Sequence, residues 1–280
     1  RQREIYMGKK KRDIDGIVRV VIQLFFFIML PELFQAAFSG VKYIASQIHG
    51  SKSIEMVPFI MYLIILTGFT IVSGRFFCGF ACAFGSFGDV VYTMSKFIQK
   101  KLNKRFLVIP GKVCIYLQKL KYIILAGIIL LCFNGMYGFF SLNSPWAVFS
   151  KLRAFEFKNA FTVTGIILFI LIITGMCIKE RFFCQFLCPM GAVFAILPVI
   201  TLQYPKKKED ICLKGCKLCV KNCPVSINPG SRERIGECIG CNKCVSGCPV
   251  SSMHILKSIN HNIFSIIKAV LLFILVYIFI

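Results

Sequence analysis

Residues 212–249 read CLKGCKLCVKNCPVSINPGSRERIGECIGCNKCVSGCP, and eight of the chain's 15 cysteines fall inside them. They form two groups: Cys212-x3-Cys216-x2-Cys219-x3-Cys223-Pro224 and Cys238-x2-Cys241-x2-Cys244-x3-Cys248-Pro249. The stretch around them, from Pro205-Lys-Lys-Lys-Glu-Asp210 onward, is rich in Cys, Gly, Pro, Lys and Asn and has little helical or strand periodicity. About 50 residues without a sizeable apolar core need a staple, and the cysteines supply one. Disulfides, zinc and iron–sulfur clusters are the forms it can take.

The rest of the chain decides between them. Its 280 residues are 57% hydrophobic, with a mean hydropathy of +0.74, too apolar for an ordinary soluble domain. Five blocks approach the roughly 20 apolar residues that a membrane-crossing helix needs: 16–38, 57–73, 122–140, 160–178 and 263–280. The net charge of +22 would suit nucleic acid, but its placement argues for a bilayer. Segments 1–19, 74–121 and 179–262 together hold 28 Lys and Arg, against five in 33–56 and 141–160. Basic and basic-poor segments alternate at each expected crossing, so the basic ones, including 205–258, are read as cytoplasmic. No nucleic-acid partner is expected.

A reducing compartment disfavours disulfides. Zinc ribbons use two Cys-x2-Cys pairs, not two four-cysteine runs that each end in Cys-Pro. The second group is the bacterial ferredoxin run residue for residue, and the first differs by one inserted residue. In that run the fourth cysteine of each group ligates the other [4Fe–4S] cluster. The expected ligand sets are Cys212, Cys216, Cys219 and Cys248 for one cluster, and Cys238, Cys241, Cys244 and Cys223 for the other. Lys214, Lys217, Lys221 and Lys243 would stabilise negative cluster charge or dock an acidic partner.

A second pattern lies in the membrane part. Arg75-Phe-Phe-Cys-Gly-Phe-Ala-Cys-Ala-Phe-Gly85 matches Arg181-Phe-Phe-Cys-Gln-Phe-Leu-Cys-Pro-Met-Gly191 at seven of eleven positions. Each copy follows a two-helix unit and precedes a broken apolar stretch, 84–98 or 190–204, read as a re-entrant or interfacial helix. Duplicated halves predict a pseudo-symmetric membrane body. Cysteines four apart share a helix face, so Cys78, Cys82, Cys184 and Cys188 are candidates for a third iron–sulfur centre or a thiol redox site, with small-residue packing as the alternative. Arg75 and Arg181 are candidate supports for a cluster, a quinone oxygen or a lipid phosphate, with snorkelling as the alternative. Cys114, Cys132 and Cys177 follow no pattern and read as core residues. Glu32, near the outer end of the first block, is an intramembrane acid and hence a functional candidate. His49, His254 and His261 are read as solvated, and Lys268 as snorkelling from the last block.

These residues resemble the NapH/NosR-like membrane polyferredoxins. The resemblance covers about 57–280 and is strongest at 74–88, 180–192 and 212–249. It implies electron transfer between the quinone pool or a cytoplasmic donor and extracytoplasmic reductases, in some members through an added flavin domain. One departure from the family pattern is Ala83, where the Cys-x3-Cys motif is otherwise followed by proline.

The expected fold is a membrane all-α protein with about five transmembrane helices in two pseudo-repeats and an inserted 2[4Fe–4S] ferredoxin domain. Its segments are a basic cytoplasmic tail (1–15), repeat 1 (16–98), a basic loop (99–121), repeat 2 (122–204), the ferredoxin domain (205–258) and a last transmembrane helix (259–280). The chain opens on Arg1 and stops inside an apolar block, as a piece of a longer polypeptide would. The expected location is a prokaryotic cytoplasmic membrane, the hint of a prokaryote being the abundance of Lys, Ile and Phe. The expected role is single-electron relay within an oxidoreductase complex, between a cytoplasmic ferredoxin or flavoprotein and a quinone or a redox partner. Any flavin would belong to a partner or an upstream domain. No general acid, base or nucleophile constellation is visible. The alternative is an iron–sulfur maturation or regulatory protein that reduces a metal or senses redox state during assembly of a respiratory enzyme.

Overall fold

A computed structural model describes residues 2–49, 57–103, 109–136, 144–153, 162–197, 204–213, 215–231, 234–255 and 261–279. Lys214 and the 137–140 end of the third expected span lie outside them, as does the side chain of His49. The described elements are mostly helical: α1 (Gln2–Met29), α2 (Leu33–His49), α3 (Pro58–Ser73), a π-helical turn (Phe77–Ala81), α4 (Ala83–Lys101), α5 (Gly111–Leu117), α6 (Leu120–Phe133), α7 (Pro145–Arg153), α8 (Val163–Ile178), α9 (Phe182–Phe186) and α10 (Pro189–Ile196). The cysteine-rich part adds β1 (Lys206–Lys207), α11 (Leu218–Lys221), a 3-10 turn (Ile235–Glu237), α12 (Lys243–Ser246) and β2 (Met253–His254), and α13 (His261–Ile278) follows.

Among the described residues two stretches are long and apolar enough to cross a membrane, Val113–Phe133 and His261–Ile278. A third is Ile14–Met29 with Leu33–Ile48, if that broken pair counts as one span. Pro58–Ser73 and Val163–Ile178 are apolar but shorter. The first expected block, 16–38, is therefore not one continuous helix. Pro31 has no N–H to donate and disfavours helical dihedrals at Leu30. The last bond of α1 runs from the Leu30 N–H to the Phe26 carbonyl (2.9 Å), and α2 starts with the Ala36 N–H on the Glu32 carbonyl (2.9 Å). Glu32 sits in this break with its side chain exposed.

The chain forms two compact units. The first comprises Arg1–Pro31, Ile65–Ser86 and Phe194–Ile280. Here α1 packs on the π turn, on α12 and on α13. Its polar residues face inward: Gln23 Nε2 donates to the Gly79 carbonyl (3.3 Å), and Asp15 receives Asn262 Nδ2 (2.7 Å) and lies 2.9 Å from His261 Nε2. The second unit comprises Glu32–Ile64 and Phe87–Val193. In it α2 packs on α6, and α8 packs on α7 and α9. The backbones of α2 and α3 approach closely at Gly40, where a β-carbon would lie 2.5 Å from the Phe59 carbonyl oxygen; small residues give membrane helices such contacts. The single tryptophan, Trp146, packs among Phe34, Phe38 and Phe183 at ring distances of 6.0, 6.2 and 5.6 Å.

Candidate functional site

The cysteine-rich segment is closed at its ends by the antiparallel pair β1–β2, with Lys206 opposite His254 and Lys207 opposite Met253. Its apolar centre is small: Cys244, Val245, Met253 and Ile255, with Cys219, Cys248 and Phe264 packed against it. The two cysteine groups fold alike at an offset of 25 residues. Gly215 (φ +77°) and Gly240 (φ +62°) each precede the second cysteine of a group. Only a residue that tolerates positive φ lets the chain turn so sharply there, and glycine does so at no steric cost. One-turn helices α11 and α12 then carry Cys219 and Cys244. Ser226 (φ +55°) and Ser251 (φ +52°) turn the chain again three residues past each fourth cysteine.

The thiols assemble across the groups. Cys244 lies within electrostatic reach of Cys241, Cys238 and Cys223, and Cys238 within reach of Cys241 and Cys223. Cys219 similarly faces Cys212 and Cys216, while Cys248 touches the same small core as Cys219. Burial pushes the Cys238 thiol up to about 12; Cys241 and Cys223 add to the rise, and the Gly240 N–H and Arg75 oppose it. Burial likewise raises Cys244 and Cys219, again with help from neighbouring thiols. At Cys248 burial also raises the pKa, but backbone N–H groups of Met253, Val250 and Ser252 and the Ser252 hydroxyl outweigh it, leaving the thiol below its ordinary value.

Thiolates gathered this closely repel one another, and a shared positive centre favours their ionised form. Among the described residues no group of three or more His, Cys, Asp or Glu is tight enough for a single metal ion. A four-iron cube, with one thiolate per iron, spreads its ligands more widely, and the donor set fits one.

The membrane motif meets this loop. A β-carbon on Gly79 would clash with the Ile239 carbonyl oxygen and lie 3.6 Å from the Cys241 nitrogen. Arg75, 1% exposed, donates through Nη1 to the Gly236 carbonyl (3.2 Å) and to Glu237 Oε2 (3.1 Å). The π turn of the first motif copy thus lies flat on the backbone that carries Cys238 and Cys241.

The second copy has a similar local shape with different partners. The expectation of one continuous helix with both cysteines on one face is corrected in both copies. Cys78 lies in the π turn and Cys184 in α9, whereas Cys82 and Cys188 sit just beyond those turns and begin α4 and α10. The Ser86 N–H bonds the Cys82 carbonyl (2.9 Å) and the Ala192 N–H bonds that of Cys188 (3.2 Å). Cys188 Sγ also accepts the Gly191 N–H (3.2 Å), as an N-cap side chain does. Ala83 and Pro189 both occupy the first position of the helix that follows, while the turn before it is π-helical in the first copy and α-helical in the second. Arg181 (φ +57°) makes a two-pronged bond to Asp89, Nε–Oδ1 2.7 Å and Nη2–Oδ2 2.6 Å. At the 106-residue offset of the repeat, Asp89 corresponds to Ala195. The carbonyl of Ala195 lies against Gly236, and Glu237 next to it supplies the carboxylate to Arg75.

Several participants had no sequence signal or only a weak one. Glu237 and Asp89 stand in no motif. Tyr204 is buried, and its hydroxyl has no hydrogen-bond partner among the described residues. Lys268 does not snorkel; it is 9% exposed and turned inward. As a lone charge in an apolar block it was the one with a warning sign. Lys217 and Lys221 are exposed and Lys243 is half-buried. Cys114 and Cys132 are buried and Cys177 is partly so.

The family described as "4Fe-4S binding domain" matches the chain at residues 56–105 and 161–200. Those stretches contain Cys78, Cys82, Cys184 and Cys188, and lie outside 212–249. An uncharacterized protein of Methanocaldococcus jannaschii is 26% identical over 80% of each chain. The regulatory protein NosR of Pseudomonas aeruginosa is 28% identical over 63% of this chain and 24% of its own length. The methylamine utilization ferredoxin-type protein MauN of Methylobacillus flagellatus is 25% identical over 58% of this chain and 52% of its own. The chain thus spans about a quarter of NosR and half of MauN. No solved structure matches. Together the matches support a NosR/NapH-like family, iron–sulfur clusters and a redox role.

Proposed function

We propose, for a chain of this NosR/NapH-like, ferredoxin-type kind, that it relays single electrons between a cytoplasmic donor and a membrane or extracytoplasmic acceptor. Two [4Fe–4S] clusters would be held by Cys212, Cys216, Cys219 and Cys248, and by Cys238, Cys241, Cys244 and Cys223. When bound, the clusters supply one-electron chemistry near neutral pH. The chain's own residues position them, shield them and hand them to the membrane.

One observation carries this reading: the first membrane motif is seated on the Cys238–Cys241 loop through Gly79 and Arg75. The loop carrying Cys212, Cys216 and Cys219 is by contrast flanked by exposed residues, Ile211, Leu213, Lys217 and Leu218 among them. A soluble donor would meet that loop, and the membrane body would take electrons from the Cys238 side. Cys78, Cys82, Cys184 and Cys188, with Arg75 and Arg181 beside them, would be the entry into the bilayer, as a third centre or as thiols. A quinone, or a partner bearing a flavin, haem or metal, would be the acceptor, and other subunits of a redox complex the setting.

The relative named as a regulatory protein favours a second reading, in which the same clusters sense redox state or reduce a metal during assembly of a respiratory enzyme.

Iron and acid-labile sulfide per chain, with EPR of the reduced protein after anaerobic purification, test the proposal. About 8 iron per chain would match the two ferredoxin clusters. A clear excess, lost in Cys82→Ser and Cys188→Ser, would establish a centre at the motifs. Colourless protein would refute electron transfer. Steady reduction of the clusters by a cytoplasmic ferredoxin, followed by reoxidation in membranes, separates a relay from a sensor that is reduced once and holds.

A further inference from the structure

A buried ammonium group with no counter-ion among the described residues sits beside the Cys238 loop. Lys268 lies on α13, in the middle of an apolar helix, and its side chain is 9% exposed. Its Nζ lies over two rings, Phe264 at 4.4 Å and Phe76 at 5.5 Å from the centroids. No carboxylate pairs with it among the described residues. The small cavity that it lines is also bounded by Arg75, Tyr204, Cys238 and Asn242, and Cys238 is the thiol within its electrostatic reach.

Two aromatic faces offset only part of what it costs to take a lysine out of water. A buried charge persists where an opposite charge meets it. The neighbouring cations differ in this respect: Arg75 has Glu237, 3.1 Å away. Lys268 has only the sulfur side. Four thiolates outweigh the charge of the iron–sulfide core that they hold, so the ligated cluster is an anion and becomes more negative on reduction. Burial opposes that extra charge, whereas a fixed cation nearby favours it.

We infer that Lys268 is the counter-cation of the cluster held by Cys223, Cys238, Cys241 and Cys244, and that it raises that cluster's reduction potential above what its burial alone would set. The inference rests on the cluster assignment proposed above. It makes Lys268 a positioning and tuning residue rather than a catalytic one. It also gives the pair of clusters a built-in slope. The cluster on the exposed loop lacks this buried cation, so an electron entering there is drawn toward the membrane motif.

The test is an EPR-monitored redox titration of the full chain, purified anaerobically with its clusters, as wild type, Lys268→Met and Lys268→Arg. Methionine keeps the length of the side chain and suits a membrane helix, so insertion should survive. The expected result is a roughly tenfold fall in the reduction equilibrium of one cluster in Lys268→Met, which is about 59 mV for a one-electron couple. The other cluster should stay where it was, and Lys268→Arg should return the first one to near the wild-type value. Two unchanged potentials, or two that fall equally, in protein with full iron and sulfide would overturn the tuning role alone. Wild-type protein without iron would remove the cluster assignment and the inference with it.

Discussion

Gly79 lies so close to Ile239 that any side chain at position 79 would run into the Ile239 carbonyl oxygen. The second motif copy has Gln185 at the corresponding place. Among the described residues it is the first copy that meets a cysteine loop at this position. The duplicated sequence has been put to two different uses.

Gly79→Ala should consequently disturb the Cys238–Cys241 loop while leaving the other cysteine group intact. Overpacking of this kind costs about 1–3 kcal/mol. The readout is cluster stability: the EPR signal of one cluster should decay faster in mildly denaturing detergent, and the other should not. Equal decay of both would mean that the contact is not local to that loop.

Arg75 and Arg181 look equivalent in the sequence but have different partners, so their losses should differ in kind. Arg181→Met removes the two-pronged bond to Asp89 and should lower the stability of the folded chain by about 3–5 kcal/mol, as breaking a buried pair does. Asp89→Asn with Arg181→Met should recover part of it. Arg75→Met breaks a comparably buried pair, but it should in addition alter the EPR line shape of the cluster at Cys238, which Arg181→Met should not. Thermal unfolding and EPR on the same samples separate the two arginines.

The crossing of ligands between groups predicts which substitutions look alike. Cys223→Ser and Cys241→Ser, which lie in different groups, should remove the same EPR signal. Cys216→Ser and Cys248→Ser should remove the other. Each should take away about four iron atoms. A phenotype that follows the groups, with Cys223 resembling Cys216, would refute the crossed arrangement.

Cys188 caps α10 through its sulfur, which accepts the Gly191 N–H at 3.2 Å. Cys188→Ala should lose that cap, at about 0.5–2 kcal/mol. Cys188→Ser should keep most of the stability. If the thiol has a redox role as well, serine would restore the fold but not electron transfer, a separation that a purely packing role would not produce.

Much of the site was legible because cysteine spacing is local. A Cys-x2-Cys-x2-Cys run dictates a tight loop, and Gly215 and Gly240 stand where that loop needs positive φ. The apolar blocks were legible for the same reason, since a span is a property of consecutive residues. Pro31 marked the break at Leu30–Glu32, but apolar residues resume at Leu33 and hydropathy does not register a missing N–H, so the block read as continuous. The long-range partners were not legible. Glu237 and Asp89 are ordinary acidic residues, 162 and 92 positions from their arginines, and nothing in their neighbourhoods marks them. The direction of Lys268 escaped for another reason: a lysine in an apolar helix can run out to the interface or fold inward, and only the packing of α1, the π turn and α13 decides which.

The distance in sequence between Arg75 and Glu237 also has a consequence for biogenesis. The arginine leaves the ribosome 162 residues before its carboxylate. At 5–20 residues per second it waits roughly ten to thirty seconds before that carboxylate is made. The cysteine-rich segment is made after both motif copies and brings that carboxylate, so Arg75 gains Glu237 only when the segment docks on the first motif.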